Sequence, residues 1–212
     1  MLDVTGYDLS GHVFATAREQ TPRDAMEFAC RTVTGTSGFL VIGNHAVHAP
    51  GARLVDPASV DSEVVVQETF QEHALAPFDL TLSRCAARAP THRTPVFEAT
   101  VVALRLGLLA RILDRAFGHL EHRESFGQKL THHQLVKAQF SETGAMLSRQ
   151  REELSLAQDR PVNAQRLHAE IDRHTVQAAK LMGGHGFRAG ALNGLEYLSA
   201  LVRATLAPEV GG

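Results

Sequence analysis

The chain has 212 residues with 44% hydrophobic content, enough to bury one substantial core or two small ones. A formal net charge of −2 gives no overall attraction to nucleic acid or to an anionic membrane surface, so neither partner is expected. The opening MLDVTGYDLSG has neither a basic cap nor an apolar run, and the longest apolar stretch, Val101 to Ala110, is interrupted by Arg105, which predicts a soluble cytoplasmic protein.

Residues 1–88 mix short alternating runs with one predicted helix. Thr21-Pro22 pairs an N-cap with proline at the first helical position and leads into a helix over Asp24 to Thr32, which Gly35 and Gly38 end. The β-branched runs Gly38 to Val47 and Glu63 to Phe70 read as strands, separated by turn residues Gly51, Pro57 and Ser59. Ala86 to Pro95, with two prolines in a small and polar context, reads as a linker.

Beyond the linker no proline appears until Pro161, and the pattern turns helical. A first helix, about Val96 to His122, is apolar on most sides and is expected to be the most buried. A second, about Thr131 to Leu156, carries Val136, Phe140 and Leu147 at helical spacing. After Pro161 a third places Leu167, Ile171, Ala178 and Met182 on one face. Asn193 is positioned to cap a fourth, with Leu195, Leu198, Val202 and Leu206. The expected class is α+β: a small β-containing amino-terminal region (1–88) followed by an antiparallel four-helix bundle (95–212).

Three segments of the second half carry a resemblance. His122 to Lys137 (HRESFGQKLTHHQLVK) holds an Arg-x-x-Phe-Gly signature at Arg123, Phe126 and Gly127, followed by Gln134. Upstream, Gly107 and Leu113-Asp114 stand at matching spacing from Arg123. Lys180 to Phe187 (KLMGGHGF) matches a Gln-x-x-Gly-Gly-x-Gly-aromatic segment, with Lys180 in place of the glutamine. Together they resemble the carboxy-terminal helical domain of the acyl-CoA dehydrogenases, with the isovaleryl-type branch nearest, over about Pro95 to Pro208. The resemblance implies a flavin-binding bundle in an oligomer. A reduced middle β-region stands before it, the amino-terminal helical domain is missing, and no tryptophan is present to shield a flavin ring.

The resemblance assigns FAD contacts to Arg123, Phe126, Gln134, Lys180, Gly183 and Gly184. A guanidinium at Arg123 can neutralise a pyrophosphate, Phe126 can pack on adenine, and the glycines admit close backbone approach. The competing structural reading is a helix C-cap at Gly183-Gly184 and a solvated helix end at Arg123.

The family's catalytic base falls at one of two places. One aligns with Ala207, two residues before Glu209; the other aligns with Phe97, one residue before Glu98. One residue on a helix is about 100° of rotation, so Glu98 is expected to point away from the base position unless the helix is reset. Glu98, Glu209 and His185, the histidine inside the glycine-rich turn, are the catalytic candidates. No metal site is expected: the cysteines Cys30 and Cys85 lack ligand spacing, and the histidines, His168 and His174 among them, are expected to face solvent or an interface.

The resemblance implies an incomplete dehydrogenase subunit that uses FAD on an acyl thioester, as a homo-oligomer or with a second chain of similar type. Two alternatives stand beside it: a flavin-free relative doing cyclisation or proton transfer in a biosynthetic pathway, and a non-catalytic partner of a related enzyme.

Overall fold

A computed structural model describes residues 8–86, 93–125, 127–157, 160–181 and 191–208, with the backbone alone at 191–192. It opens on helix α1 (Leu9–Glu19), whose N-cap Asp8 accepts a hydrogen bond from the Gly11 amide at 2.8 Å. The expectation of a single helix in this region is thereby corrected. Only Val13, Phe14 and Ala17 of α1 are buried, a stripe too sparse to announce a helix, and the surface they cover is remote in sequence.

Helix α2 (Pro22–Thr34) forms where expected. The Thr21 hydroxyl accepts from the Asp24 amide, Pro22 sits in the first turn, and Gly35 closes the helix at φ 71°. Five short strands follow: β1 (Phe39–Leu40), β2 (His45–His48), β3 (Leu54–Val55), β4 (Val66–Phe70) and β5 (Thr81–Cys85). The one strand expected over Gly38–Val47 is divided in two by a bend, and β5 was not anticipated. β5 is nevertheless the centre of an antiparallel sheet in the order β2-β5-β4, while β1 pairs with β3 in parallel. A chain of hydrogen bonds crosses all three strands, from exposed Thr69 through buried Ser83 (2.9 Å) to buried His48 (2.8 Å).

Helix α3 (Pro95–Leu120) is the axis of the molecule. Thr94 caps it, and every residue from Ala99 to Ala110 is buried, because neighbours cover it on all sides. A tight hairpin, β6 (Glu124–Ser125) and β7 (Gln128–Lys129), leads into α4 (Gln134–Ala157), then α5 (Ala164–Lys180) and α6 (Ala191–Leu206). Asn193 lies inside α6 and does not cap it.

Side-chain pairing sets the helix directions. Thr143 meets His174, Gln150 meets Glu170 and Glu153 meets Arg166, so α4 and α5 run antiparallel. Arg105 of α3 meets His168 and Asp172 of α5 and Ser199 of α6. With the starts of α3 and α5 at one end, together with the finish of α6, the bundle is up-down-up-down.

Helix α1 crosses α3 at Gly107, where an added Cβ would lie 2.5 Å from the Ala17 Cβ and 2.5 Å from the Phe14 carbonyl oxygen. Arg18 then pairs with Asp114, and the Arg151 guanidinium of α4 stacks on Phe14 at 4.4 Å. The amino-terminal elements and the bundle consequently share one continuous core. Among the described residues no helix is long and apolar enough to cross a membrane.

Candidate functional site

Where α6 ends beside the starts of α3 and α5, the helices leave a cavity of about 310 Å³. Glu98 and Phe97 line it from α3, His168 from α5, Arg203 from α6 and Ala207 just past it, together with Arg93. Glu98 occupies the first turn of α3, where a carboxylate is favoured by the unpaired backbone amides. Phe97, at one of the two aligned base positions, is turned into the core. Ala207, at the other, borders the same cavity as Glu98. A second groove of about 410 Å³ runs between α5 and α6, walled by Thr175, Val176, Ala200 and Ala204, and shares Arg203 and Ala207 with the first.

Between the two lies a buried polar cluster built around Arg105. This residue is only 1% exposed, and its guanidinium is bonded on each side. Nε donates to the Ser199 carbonyl at 3.0 Å, Nη1 donates to His168 Nδ1 at 3.0 Å, and Nη2 donates to Asp172. Asp172 also accepts from Arg203, so one carboxylate serves two guanidiniums. Burial first, then the Arg203 charge, pulls the Arg105 guanidinium down to about 9. The Asp172 contact favours its charged form, and at neutral pH both effects leave it protonated.

His168 is 3% exposed, and burial followed by the charges of Arg105, Arg203 and Arg93 pushes its imidazole down to about 3. His174 is equally buried, its Nδ1 against the Thr143 hydroxyl at 3.1 Å. The expectation that these two histidines face solvent or an interface is therefore corrected. The histidine pattern alone could not place them, but Arg105 carried a signal: a lone charge inside the apolar run Val101 to Ala110 must find partners once the helix is buried.

The flavin-contact candidates stand at the other end of the bundle. Arg123 is exposed just past α3, its Nη1 donating to His119 Nε2 at 2.9 Å. The β6–β7 turn holds Gly127 at φ 77° with open space where a side chain would be. Gln134 is exposed at the start of α4, and Lys180 is exposed at the end of α5. The antiparallel pairing of α4 and α5 brings these last two toward the same end as the hairpin. Phe126, Gly183, Gly184, His185 and Glu209 lie outside the described residues.

Glu98 and Leu120 are 22 residues apart on one unbroken helix, which is about 33 Å at 1.5 Å per residue. The Glu98 cavity and the Arg123 hairpin are therefore on opposite faces of the molecule.

No family model matches this chain, and no curated protein matches it. Solved structures do. Butyryl-CoA dehydrogenase from Megasphaera elsdenii is similar, with a TM-score of 0.56 at 10% identity, over 79% of this chain and 56% of its own. So is FkbI, a protein for biosynthesis of the methoxymalonyl extender unit of the Fk520 polyketide immunosuppressant. Its TM-score is 0.53 at 15% identity, over 95% of this chain and 86% of its own. The fold is that of the acyl-CoA dehydrogenases. This chain spans little more than half the length of the butyryl-CoA dehydrogenase, and at these identities the likeness shows the fold alone. Within the acyl-CoA dehydrogenase fold, Gly107 and Asp114, two of the positions behind the sequence resemblance, serve to seat α1.

Proposed function

We propose that this chain is one subunit of an acyl-CoA dehydrogenase-like flavoprotein, contributing an FAD-binding bundle for α,β-dehydrogenation of an acyl thioester. The observation that carries the reading is the pairing of two half-sites at opposite ends of α3. One is an exposed cation, an amide and a bare backbone turn at Arg123, Gln134 and Gly127; the other is a cavity bearing the Glu98 carboxylate.

The first half-site fits a dinucleotide. Arg123 would neutralise the pyrophosphate, and Gln134, Lys180, Phe126 and the glycines 183 and 184 would complete the cradle. FAD, when bound, supplies the hydride acceptor. Glu98 is the favoured base over Glu209 and His185, because it lines one cavity with Phe97 and Ala207, the residues that align with the family's two different base positions. With about 33 Å between the half-sites, no single subunit closes a site around one flavin, so a second copy or a second chain of similar type completes it.

One observation favours a second reading, flavin-free proton transfer or cyclisation. Glu98, His168 and Arg203 line a cavity, with Arg105 bonded to His168 behind it, that needs nothing from the Arg123 end.

The visible absorbance of the purified chain, alone and after excess FAD and desalting, separates the two. A retained flavin band that Arg123→Ala abolishes supports the dehydrogenase subunit. A colourless protein, in every oligomeric state this chain forms by itself, removes a site completed by a second copy and leaves a site completed by a second chain or the flavin-free reading.

A further inference from the structure

The cavity that carries Glu98 contains one other group whose chemistry is fixed by its neighbours. Arginine can only donate, so the 3.0 Å contact from Arg105 Nη1 makes His168 Nδ1 an acceptor. The imidazole proton must then sit on Nε2. The Nδ1 edge is occupied by Arg105, which leaves the Nε2 edge toward the cavity that His168 lines. Arg105 cannot drift away: Ser199 and Asp172 hold its remaining nitrogens, and it is almost fully buried. Around the ring stand Arg105 from α3, Arg203 from α6 and Arg93 before α3, with Asp172 on its own helix and Glu98 across the cavity.

We propose that His168 is the acyl-oxygen-binding residue of the Glu98 cavity, donating from Nε2–H to the carbonyl of a substrate whose α-proton faces Glu98. The inference rests on the reading of that cavity as an acyl site. It assigns the substrate class as a carbonyl compound with an acidic α-hydrogen, whether or not flavin follows.

The chemistry balances without a further reactant. Glu98 takes the α-proton and becomes a carboxylic acid; the C–H electron pair moves into the carbon–carbon bond, and the charge settles on the acyl oxygen. A donor already aimed at that oxygen stabilises the charge without reorganising. Burial, and then the three positive groups beside the ring, keep it neutral, so it acts as a hydrogen-bond donor and does not compete with Glu98 as a base.

The test uses the full chain labelled with ¹⁵N-histidine and the probe butyryl-CoA. Long-range ¹H–¹⁵N spectra are expected to show His168 as the Nε2–H tautomer, unprotonated at pH 5, with the Nε2 proton moving downfield when butyryl-CoA binds. In parallel, calorimetry compares His168→Gln, whose amide nitrogen can occupy the Nε2 position, with His168→Leu, which has no donor. The glutamine variant should stay within about threefold of the native Kd and the leucine variant should weaken about tenfold, a hydrogen bond's usual worth.

An Nδ1–H tautomer, or titration near the ordinary histidine value, overturns the inference. So does binding of butyryl-CoA with the His168 signal unmoved, an outcome that leaves the acyl reading of the cavity standing. Failure of butyryl-CoA to bind at all, with the tautomer as drawn, sinks the acyl reading and this inference with it.

Discussion

Arg18 of α1 and Asp114 of α3 are 96 residues apart in sequence and meet through two hydrogen bonds of 2.7 and 2.9 Å. The pair marks where α1 docks, but both side chains are about half exposed, and exposed ion pairs contribute little. The contact that decides the docking is about two turns earlier on α3, where Gly107 lets the two backbones touch. Gly107→Ala should therefore cost about 1–3 kcal/mol by forcing the helices apart, whereas Arg18→Ala should stay within about 1 kcal/mol. Urea denaturation midpoints of the two variants check this; a Gly107→Ala protein as stable as the native one would mean that α1 is not held against α3 at that point.

The separation of the half-sites along α3 makes flavin binding a property of the assembly. If a second chain completes each site, FAD retention should fall on dilution in step with dissociation of the oligomer. Analytical ultracentrifugation read at the flavin band and at 280 nm measures both at once. Flavin sedimenting with a monomer would contradict the shared-site arrangement, even if Arg123 still proved necessary.

Thr175 presents a different kind of test. It is 4% exposed, lines the groove between α5 and α6, and its hydroxyl has no hydrogen-bond partner among the described residues. A buried hydroxyl without a partner is costly, and valine has nearly the same shape. Thr175→Val should stabilise the protein by about 1 kcal/mol, measured as an increase in denaturation midpoint at unchanged m-value. A loss of stability instead would show that the hydroxyl is bonded, by water or by something that occupies the groove.

The bundle was legible in the sequence because its signals are local and periodic. Leu167, Ile171 and Ala178, and Leu195, Leu198, Val202 and Leu206, recur at helical spacing, and all of them are buried. α1 was not legible, because its three buried residues acquire meaning only against Gly107, some 90 residues away. The strand β5 was hidden for a similar reason: its place at the centre of the sheet depends on pairing with both β2 and β4. Of the site, Glu98 could be named as a carboxylate in a first turn, yet its cavity is made by α5 and α6 as well. The Arg105–His168 contact joins residues 63 apart, and nothing in the local pattern of either announces the other.

That contact has a consequence for stability against pH. His168 is held down to about 3 in the folded chain, against an ordinary value of 6.5, by burial and then by Arg105, Arg203 and Arg93. Below about pH 6.5 the unfolded chain binds a proton there that the folded chain refuses, so acidification favours unfolding, and the loss levels off only near pH 3. A single such group contributes a slope of up to about 1.4 kcal/mol per pH unit within that window. Buried His48 and His174 are shifted in the same direction and add to the total, so the native slope alone does not isolate His168. The difference between native protein and His168→Gln does, because glutamine carries no titrating proton. Denaturation curves collected between pH 6 and pH 4 should show the variant losing stability more slowly, by about one proton's worth. Parallel curves would mean that His168 takes up its proton in the folded state, which the Arg105 guanidinium at its Nδ1 forbids.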